Sequence, residues 1–289
     1  MRERTGFPAG VPCWIDTAQP DPQAAVEFYS GLFGWEFEDQ LPADAPAPGH
    51  YFAARLGGRD VAAIGSQPEG AASTPMWNTY VCVDSADDTA SRVTAAGGQV
   101  LGAAFDVSDA GRMAMCVDSG GASFCLWQAR RHQGAQAVNE PNTWNWSDLH
   151  THDPGAAAEF YAAVFGWEAT PVDFGFGESM MWRRPGYGDF LATYDPSLRE
   201  RHGQPGVPAG FSDAIGWMAP PTGESGPDAR PHWHVTFASA DTDAAVDAAT
   251  KLGGSIVAPP SDAGGVARIA TLRDPQGAVF TVSTYTPAT

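Results

Sequence analysis

The sequence has few basic residues and no long apolar run. Its 289 residues include 16 Lys and Arg against 34 Asp and Glu, which gives a formal net charge of −18. Such a field repels phosphate backbones and anionic lipid surfaces, so we expect no nucleic-acid partner and no membrane partner. No apolar stretch is long enough to span a bilayer, and residues 1–10 lack the apolar core of a signal peptide. The sequence therefore predicts a soluble, cytoplasmic protein.

Cysteine is also scarce. The four cysteines are Cys13, Cys82, Cys116 and Cys125. They lie far apart within apolar, strand-like stretches, and no CxxC motif occurs. This spacing favours buried, reduced thiols over a redox or zinc site. The sequence contains no nucleotide-binding fingerprint and no support for a Ser/His/Asp triad, so we predict no cofactor.

What the sequence does contain is a long internal repeat. Residues 14–36 (WIDTAQPDPQAAVEFYSGLFGWE) recur as residues 146–168 (WSDLHTHDPGAAAEFYAAVFGWE), an offset of 146 − 14 = 132. Residues 76–98 recur as residues 232–254, an offset of 232 − 76 = 156. The chain is therefore two copies of one structural unit. The growth of the offset by 156 − 132 = 24 residues predicts an insertion near 185–211, expected to be a loop that covers a binding site.

Local patterns predict the order strand, helix and three strands, twice in each copy. The first helix begins at Asp21-Pro22, a good cap followed by a good first-turn residue, and ends at Gly34. Further strands are predicted at Val11–Ile15, Trp35–Asp39, Tyr51–Leu56, Val61–Ile64, Met76–Val83, around Val100–Phe105, Arg112–Val117 and Ser123–Trp127, with a loop at Pro42–Pro48 and a helix at Ser85–Ala96. The polar stretch 129–143 has no periodicity. We expect a first module over 1–130, a linker over 131–143 and a second module over 144–289.

These features resemble the vicinal oxygen chelate superfamily, which includes glyoxalase I, extradiol dioxygenases and bleomycin-resistance proteins. The resemblance is carried by both copies of FY…FGWE, the pairs Trp77-Asn78 and Trp233-His234, and DPQGAVF at 274–280. It looks closest to a tandem, actinobacterial branch often labelled hydroxylase or glyoxalase-like. What the resemblance implies is an α+β fold of two tandem modules. In each module two βαβββ units would form a curved mixed sheet around a cup, with the helices outside.

In members that use a metal, the resemblance implies ligands from the strands that line each cup. Their positions fall here on Trp14 and Trp146, on Asn78 and His234, and on Cys125 and Thr281. Indole cannot bind a metal, and a divalent ion needs about three protein ligands. Each module keeps at most one suitable side chain, so we predict no metal site. His234 is then a hydrogen-bonding pocket residue or a core histidine.

What remains in each cup is a tryptophan with a carboxylate beside it. Strand residues two apart share a face, so Trp14 lies with Asp16, and Trp146 lies with Asp148 and His150. The predicted catalytic residues are Asp16, Asp148, His150 and His234, and the predicted ligand-binding residues are Trp14, Asn78, Trp146 and Trp217. The tryptophans are equally interpretable as core residues, and the aspartates as structural carboxylates. His132, His152 and His202 are expected in loops or on the surface.

Three hypotheses follow for the function. In the first, the chain is a metal-independent enzyme that binds a small aromatic or polyketide-like metabolite and tailors or detoxifies it by acid–base chemistry. Its carboxylates would then have a pKa raised by the apolar cup. In the second, it sequesters an antibiotic or other ligand without turnover. In the third, it is a metal-dependent, glyoxalase- or dioxygenase-like enzyme. A monomer or a homodimer is expected, because a tandem chain can pair its own modules.

Overall fold

The computed structural model describes residues 3–41, 49–67, 74–173, 178–204, 207–221 and 229–285, so the predicted loop Pro42–Pro48 lies outside the described residues. The helices are α1 (Pro22–Phe33), α2 (Ala86–Ala95), α3 (Pro154–Phe165), α4 (Tyr187–Tyr194), α5 (Leu198–His202) and α6 (Thr242–Lys251), with a short 3₁₀ helix at Phe211–Asp213. None of the helices in these ranges is long and apolar enough to cross a membrane.

The strands form two mixed sheets, one in each copy of the repeat. The first sheet contains β1 (Pro12–Gln19), β2 (Glu36–Asp39), β3 (Tyr51–Leu56), β4 (Arg59–Ser66), β5 (Trp77–Cys82), β6 (Gln99–Val100), β7 (Phe105–Val107), β8 (Gly111–Val117) and β9 (Ser123–Ala129). Its order is β2-β3-β4-β1-β5-β9-β8-β6, and β7 pairs with β8.

The second sheet repeats this order. It contains β10 (Trp144–His150), β11 (Glu168–Asp173), β12 (Glu178–Arg183), β13 (Ala214–Ala219), β14 (His232–Ala238), β15 (Ser255–Ala263), β16 (Ala267–Arg273) and β17 (Val279–Tyr285). Its order is β11-β12-β13-β10-β14-β17-β16-β15. The predicted α+β fold, with paired βαβββ units in tandem, is confirmed.

The first helix of each copy begins and ends as the sequence predicts. Asp21 caps α1 by accepting a hydrogen bond from the backbone N–H of Ala24 at 3.0 Å, and Asp153 caps α3 in the same way. Gly34 and Gly166 end the two helices, both with a φ of 70°. A left-handed residue at this position is typical of a helix end and favours glycine.

One predicted strand is interrupted. The sequence predicts a continuous strand around Val100–Phe105, but β6 ends at Val100 and β7 begins at Phe105. Between them Gly102 adopts a φ of 135°, a conformation that glycine takes at no steric cost and that turns the chain out of the strand direction. The prediction of one strand here is wrong.

The chain divides into two compact units, and each takes segments from both copies of the repeat. Unit 1 consists of Met1–Cys13, Thr79–Gly134 and Trp146–Trp233. Unit 2 consists of Trp14–Asn78, Ala135–Asn145 and His234–Thr289. The module boundaries expected at residues 130 and 143 stay predictions.

The repeated tyrosine of the helix motif lies in the core of each unit. In unit 1 the Tyr161 hydroxyl donates to Asp118 Oδ2 at 2.9 Å and accepts from Trp233 Nε1 at 2.9 Å. Burial and the neighbouring Asp118 carboxylate raise the pKa of Tyr161 well above its ordinary value. In unit 2 the Tyr29 hydroxyl donates to Asp274 at 2.9 Å. The motif that marks the repeat is therefore structural, because its tyrosine holds a D-x-x-G turn in place.

Candidate functional site

In unit 2 the tryptophan and the carboxylate of β1 belong to one hydrogen-bonded group. The Trp14 Nε1 donates to the Tyr51 hydroxyl at 3.2 Å, and that hydroxyl donates to Asp16 Oδ2 at 3.1 Å. The Asn78 amide donates to Asp16 Oδ1 at 2.8 Å. Trp14 and Asp16 are both buried. Because each carboxylate oxygen accepts a hydrogen bond, the geometry favours a structural role for Asp16, and its catalytic role stays a prediction.

In unit 1 four half-buried rings form a cluster that we name the aromatic wall. Its members are Trp146, His202, Phe211 and Trp217. The ring centroids of Trp146 and Trp217 lie 5.7 Å apart, and the Phe211 ring lies 6.2 Å from each of them. The His202 ring lies 4.8 Å from Phe211. Asp148 follows Trp146 by two residues on β10 and is in register with Trp217 on β13, so its side chain shares their face of the sheet.

Two rings of the aromatic wall come from the insertion. In the first copy residues 57–58 join β3 to β4, whereas residues 184–213 join β12 to β13 in the second copy. The expected loop instead contains α4, α5 and the 3₁₀ helix. The last residue of α5 is His202, and the first residue of the 3₁₀ helix is Phe211. His202, which is expected in a loop or on the surface, is the last residue of α5, and its half-buried ring lies against Phe211.

The insertion is fixed to unit 1 by polar contacts. Asp213 Oδ1 accepts from the Gly188 N–H at 2.7 Å, and the Asp213 carbonyl accepts from the Arg184 N–H at 2.9 Å. The guanidinium of the buried Arg4 donates to the Tyr187 hydroxyl at 2.8 Å. These contacts join the two ends of the insertion to each other and α4 to the N-terminal segment. They hold Asp213, two residues after Phe211, against the start of the insertion.

Two imidazoles of unit 1, those of His150 and His202, are uncharged at neutral pH. Burial, together with repulsion from His232, lowers the pKa of His150 to about 4. The two rings lie 4.9 Å apart. Burial and the neighbouring Arg201 also lower the pKa of His202. The Nδ1 atom of His202 is buried and has no hydrogen-bond partner among the described residues. At neutral pH these side chains therefore act as neutral donors or acceptors and not as cations.

In unit 2 the strands β14, β16 and β17 present a face of hydroxyl groups. The His234 Nε2 and the Thr281 Oγ1 lie 2.8 Å apart, and the Thr281 and Thr271 hydroxyls lie 3.1 Å apart. Thr236 is in register with Thr281 and is buried with it. We name His234, Thr236, Thr271 and Thr281 the hydroxyl face. The predicted cluster of Asp148 and His150 with His234 stays a prediction.

The side chains at the implied metal-ligand positions do not fit a metal centre. The indole nitrogens of Trp14 and Trp146 carry a hydrogen and offer no lone pair in the ring plane. His234 is hydrogen-bonded to Thr281. Thr281 itself occupies an implied ligand position, but it offers a neutral hydroxyl where a metal site needs an anionic or imidazole ligand. The described residues contain no group of three His, Cys, Asp or Glu side chains placed to hold an ion. No chemical step is therefore assigned to a metal in this chain.

Two family models match the chain. A model of a glyoxalase-like domain matches residues 134–283, and a model of the glyoxalase/bleomycin resistance protein/dioxygenase superfamily matches residues 14–126. The chain is a two-module member of the vicinal oxygen chelate superfamily. This confirms the family that the repeated helix motif suggests.

Two relatives are similar over nearly the whole chain of this superfamily member. CFP32 of Mycobacterium tuberculosis (strain CDC 1551 / Oshkosh), named as a candidate glyoxylase, is 38% identical over 287 residues, which is 98% of this chain and 97% of the relative. The anthracycline biosynthesis protein DnrV of Streptomyces peucetius is 33% identical over 293 residues, which is 96% of this chain and 94% of the relative.

Solved structures of a glyoxalase and a dioxygenase share the fold. The Mn(II)-bound glyoxalase from Novosphingobium aromaticivorans is similar with a TM-score of 0.59 at 14% identity, over 96% of this chain and 82% of that one. The 2,3-dioxygenase LapB from Pseudomonas sp. KL28 is similar with a TM-score of 0.57 at 12% identity, over 97% of this chain and 95% of that one. At such identities the likeness concerns the fold and not the chemistry.

Proposed function

We propose that this protein binds a planar aromatic or polyketide-like small molecule against the aromatic wall and transforms it by acid–base chemistry without a metal. The observation that carries the proposal is the wall itself. Trp146, Phe211 and Trp217 are half-buried, so each ring keeps an accessible part. Aromatic rings in edge and tilted arrangements offer flat apolar surface to a flat ligand.

The fold does not require an aromatic residue at this place. On the first copy of the repeat, Asp16 is in register with Ala63. On the second copy, Asp148 is in register with Trp217. An alanine therefore suffices for the sheet where the second copy has an indole. A large ring that the fold can do without, and that stays half-exposed, supports a role in ligand binding.

The relatives support the same chemical class. DnrV, which is 33% identical over 96% of this chain, is named as an anthracycline biosynthesis protein. Anthracyclines contain fused, planar rings, and such a ring system matches the shape of the aromatic wall. The wall, together with this relative, favours an aromatic polyketide over a small aliphatic substrate.

Asp148 is the residue to which we assign proton transfer. It lies on the same face of the sheet as Trp146 and Trp217, so a ligand on the wall lies near its carboxylate. His150, which lies on that face too, has a pKa lowered to about 4 and is neutral at physiological pH. It would therefore donate or accept a hydrogen bond, whereas the carboxylate would take the proton. Trp14 and Asn78 remain proposed binding groups, and Asp16 and His234 remain proposed catalytic groups.

Fluorescence quenching tests the binding step. A planar probe, 1,2-dihydroxyanthraquinone, should quench tryptophan emission with a saturable Kd in the wild type. Trp217→Ala, which installs the residue of the first copy, and Phe211→Ala should each weaken binding about tenfold, because a stacked ring is lost. Tyr285→Ala removes an aromatic side chain that is 72% exposed and serves as the control. Equal Kd values in Trp217→Ala and the wild type would contradict the proposal.

Substitution of the Asp148 carboxylate distinguishes turnover from binding. If Asp148 transfers a proton, Asp148→Asn should abolish product formation from an aromatic polyketide substrate and leave its Kd within about twofold. Metal analysis of the native protein should find less than one transition-metal ion for each chain. A stoichiometric metal whose removal stops turnover would support the metal-dependent alternative instead.

A second candidate is a protein that sequesters the ligand without turnover. One observation favours it: both imidazoles of unit 1 with a resolved pKa shift, His150 and His202, are shifted towards the neutral form, which makes them weak bases. In that case the probe would bind with the same dependence on Trp217, but prolonged incubation would give no product. Asp148→Asn would then change neither observation.

A further inference from the structure

A small cleft of unit 1 lies beside the last turns of α2 and α3, away from the aromatic wall. Its volume is about 190 Å³, below the roughly 300–1,000 Å³ of pockets that hold drug-sized ligands. Its lining combines three charged side chains with three buried apolar ones, namely Asp84, Arg92 and Arg184 with Val83, Val164 and Phe165. We name these six residues the charged cleft. A ligand that fills it is smaller than a polyketide.

Both guanidinium groups of the charged cleft are held in place by hydrogen bonds. The Arg92 Nε donates to the Val164 carbonyl at 3.2 Å, and its Nη2 donates to the Thr89 hydroxyl at 2.8 Å. The Arg184 Nε donates to the Ala9 carbonyl at 3.2 Å, and its Nη1 donates to its neighbour's carbonyl at 3.0 Å. The other terminal nitrogens, Arg92 Nη1 and Arg184 Nη2, have no hydrogen-bond partner among the described residues. Each group therefore keeps donors for a ligand.

The charges of the cleft are not neutralised by ion pairs. Most arginines in the described ranges pair with a carboxylate, as Arg183 does with Glu168. Arg92 and Arg184 form no ion pair with a described carboxylate, and Asp84 forms none with a described cation. The formal net charge of the whole chain is −18. Two guanidinium groups on one cleft of such a protein are a local site of positive potential.

The repeat shows that the fold does not need these charges. All three charged residues have uncharged counterparts in the other copy, namely Ala240 for Asp84, Ala248 for Arg92 and Leu56 for Arg184. The first two counterparts follow from the offset of 156 residues. The third follows from strand register, because Arg183 lies opposite Glu168 as Arg55 lies opposite Glu36. The charges are therefore available for a role other than folding.

We propose that the charged cleft is a second small-molecule site, which takes an apolar α-amino acid in its zwitterionic form. The two guanidinium groups bind the carboxylate, because a fixed arginine fork matches carboxylate geometry. The Asp84 carboxylate binds the ammonium group and disfavours an anion that lacks one. The apolar side chain packs against the buried Val83, Val164 and Phe165. Each part of the lining then meets one part of the ligand.

Backbone-amide NMR of the full chain tests this site with two probes. One is L-leucine, and the other is 4-methylpentanoate, which has the same carbon chain and carboxylate but no ammonium group. We expect saturable shifts of the Asp84 and Arg92 signals with leucine, and no shift of their counterparts Ala240 and Ala248. The wild type should bind 4-methylpentanoate about tenfold more weakly than leucine, because the contact with Asp84 is lost.

Two substitutions that install the residues of the other copy separate the two charged contacts. Arg92→Ala should weaken the binding of both probes about tenfold, because both carry the carboxylate. Asp84→Ala should weaken leucine binding alone and remove the preference for leucine over 4-methylpentanoate. Asp88→Ala, at an exposed carboxylate of the same helix, is the control and should bind as the wild type does. Trp217→Ala should also leave leucine binding unchanged.

Three results would overturn the proposal. One is the absence of saturable shifts at Asp84 and Arg92, and another is equal affinity of the wild type for the two probes. The third is leucine binding that Arg92→Ala leaves intact. Should Arg92→Ala fail to fold by circular dichroism, Arg184→Leu, which also installs the residue of the other copy, replaces it with the same expected loss. None of these readouts depends on the aromatic wall.

Discussion

Protonation of His150 should destabilise the protein as the pH falls below about 6.5. An unperturbed histidine has a pKa of about 6.5, which we take for the unfolded chain. In the folded protein, burial and repulsion from His232 lower the pKa of His150 to about 4. Between these two values the unfolded state binds a proton that the folded state does not. Stability is therefore fully present above about pH 6.5 and is lost as the pH falls towards 4.

The size of this loss follows from the pKa difference. A shift of about 2.5 units, at about 1.36 kcal/mol for each unit, sets an upper bound of about 3 kcal/mol. His150 is half-buried, and solvent screening reduces the bound to about 2 kcal/mol. His150→Gln keeps a polar side chain of similar length and cannot be protonated. The variant should therefore lose about 2 kcal/mol less than the wild type on acidification.

Urea denaturation at pH 7.0 and pH 4.5 measures this difference. The free energy of unfolding is measured for the wild type and for His150→Gln at both pH values. The loss on acidification in the wild type minus the loss in the variant gives the contribution of His150, because both proteins share all other titrating groups. His152→Gln, at an exposed histidine two residues away, is the control and should follow the wild type. Equal acid sensitivity of the wild type and His150→Gln would refute the reasoning.

The remaining predictions concern single contacts. Tyr161→Phe removes the hydroxyl that donates to the buried Asp118, and we expect urea denaturation to show a loss of about 3 kcal/mol. Thr281→Val removes the hydrogen-bond partner of His234, and the same measurement should show a loss of about 1–2 kcal/mol. Arg131→Gln breaks an ion pair whose side chains are 70% and 68% exposed, so its thermal midpoint should match that of the wild type.

Much of the fold is predictable from the sequence because its determinants are local or repeated. Asp21 and Gly34 specify the ends of α1 through contacts within a few residues. The same residue types recur around α3, so each prediction is supported twice. The interruption between β6 and β7 could not be predicted in this way. Gly102 is one of many glycines, and only its backbone conformation distinguishes it.

The candidate site is less predictable, because its contacts join residues far apart in the chain. The alternation of strand side chains is enough to place Trp146 on one face with Asp148. It gives no indication that Phe211 and His202 complete the cluster. These two residues belong to the insertion, which has no counterpart in the first copy and shows no strand or helix motif shared with it. The hydrogen bond between the Tyr51 hydroxyl and Asp16 also joins residues far apart in the chain, and no sequence motif predicts it.

The two copies of the repeat separate what the fold needs from what function can use. Tyr29 and Tyr161 are the same in both copies, and each donates to the aspartate of a D-x-x-G turn, so this contact belongs to the fold. Trp217 stands where the first copy has Ala63, at the same register position beside the strand carboxylate. A residue that the fold replaces freely is the better candidate for ligand binding. Trp217→Ala should therefore preserve the urea midpoint while it weakens ligand binding. A large loss of stability would instead show that Trp217 is a structural core residue.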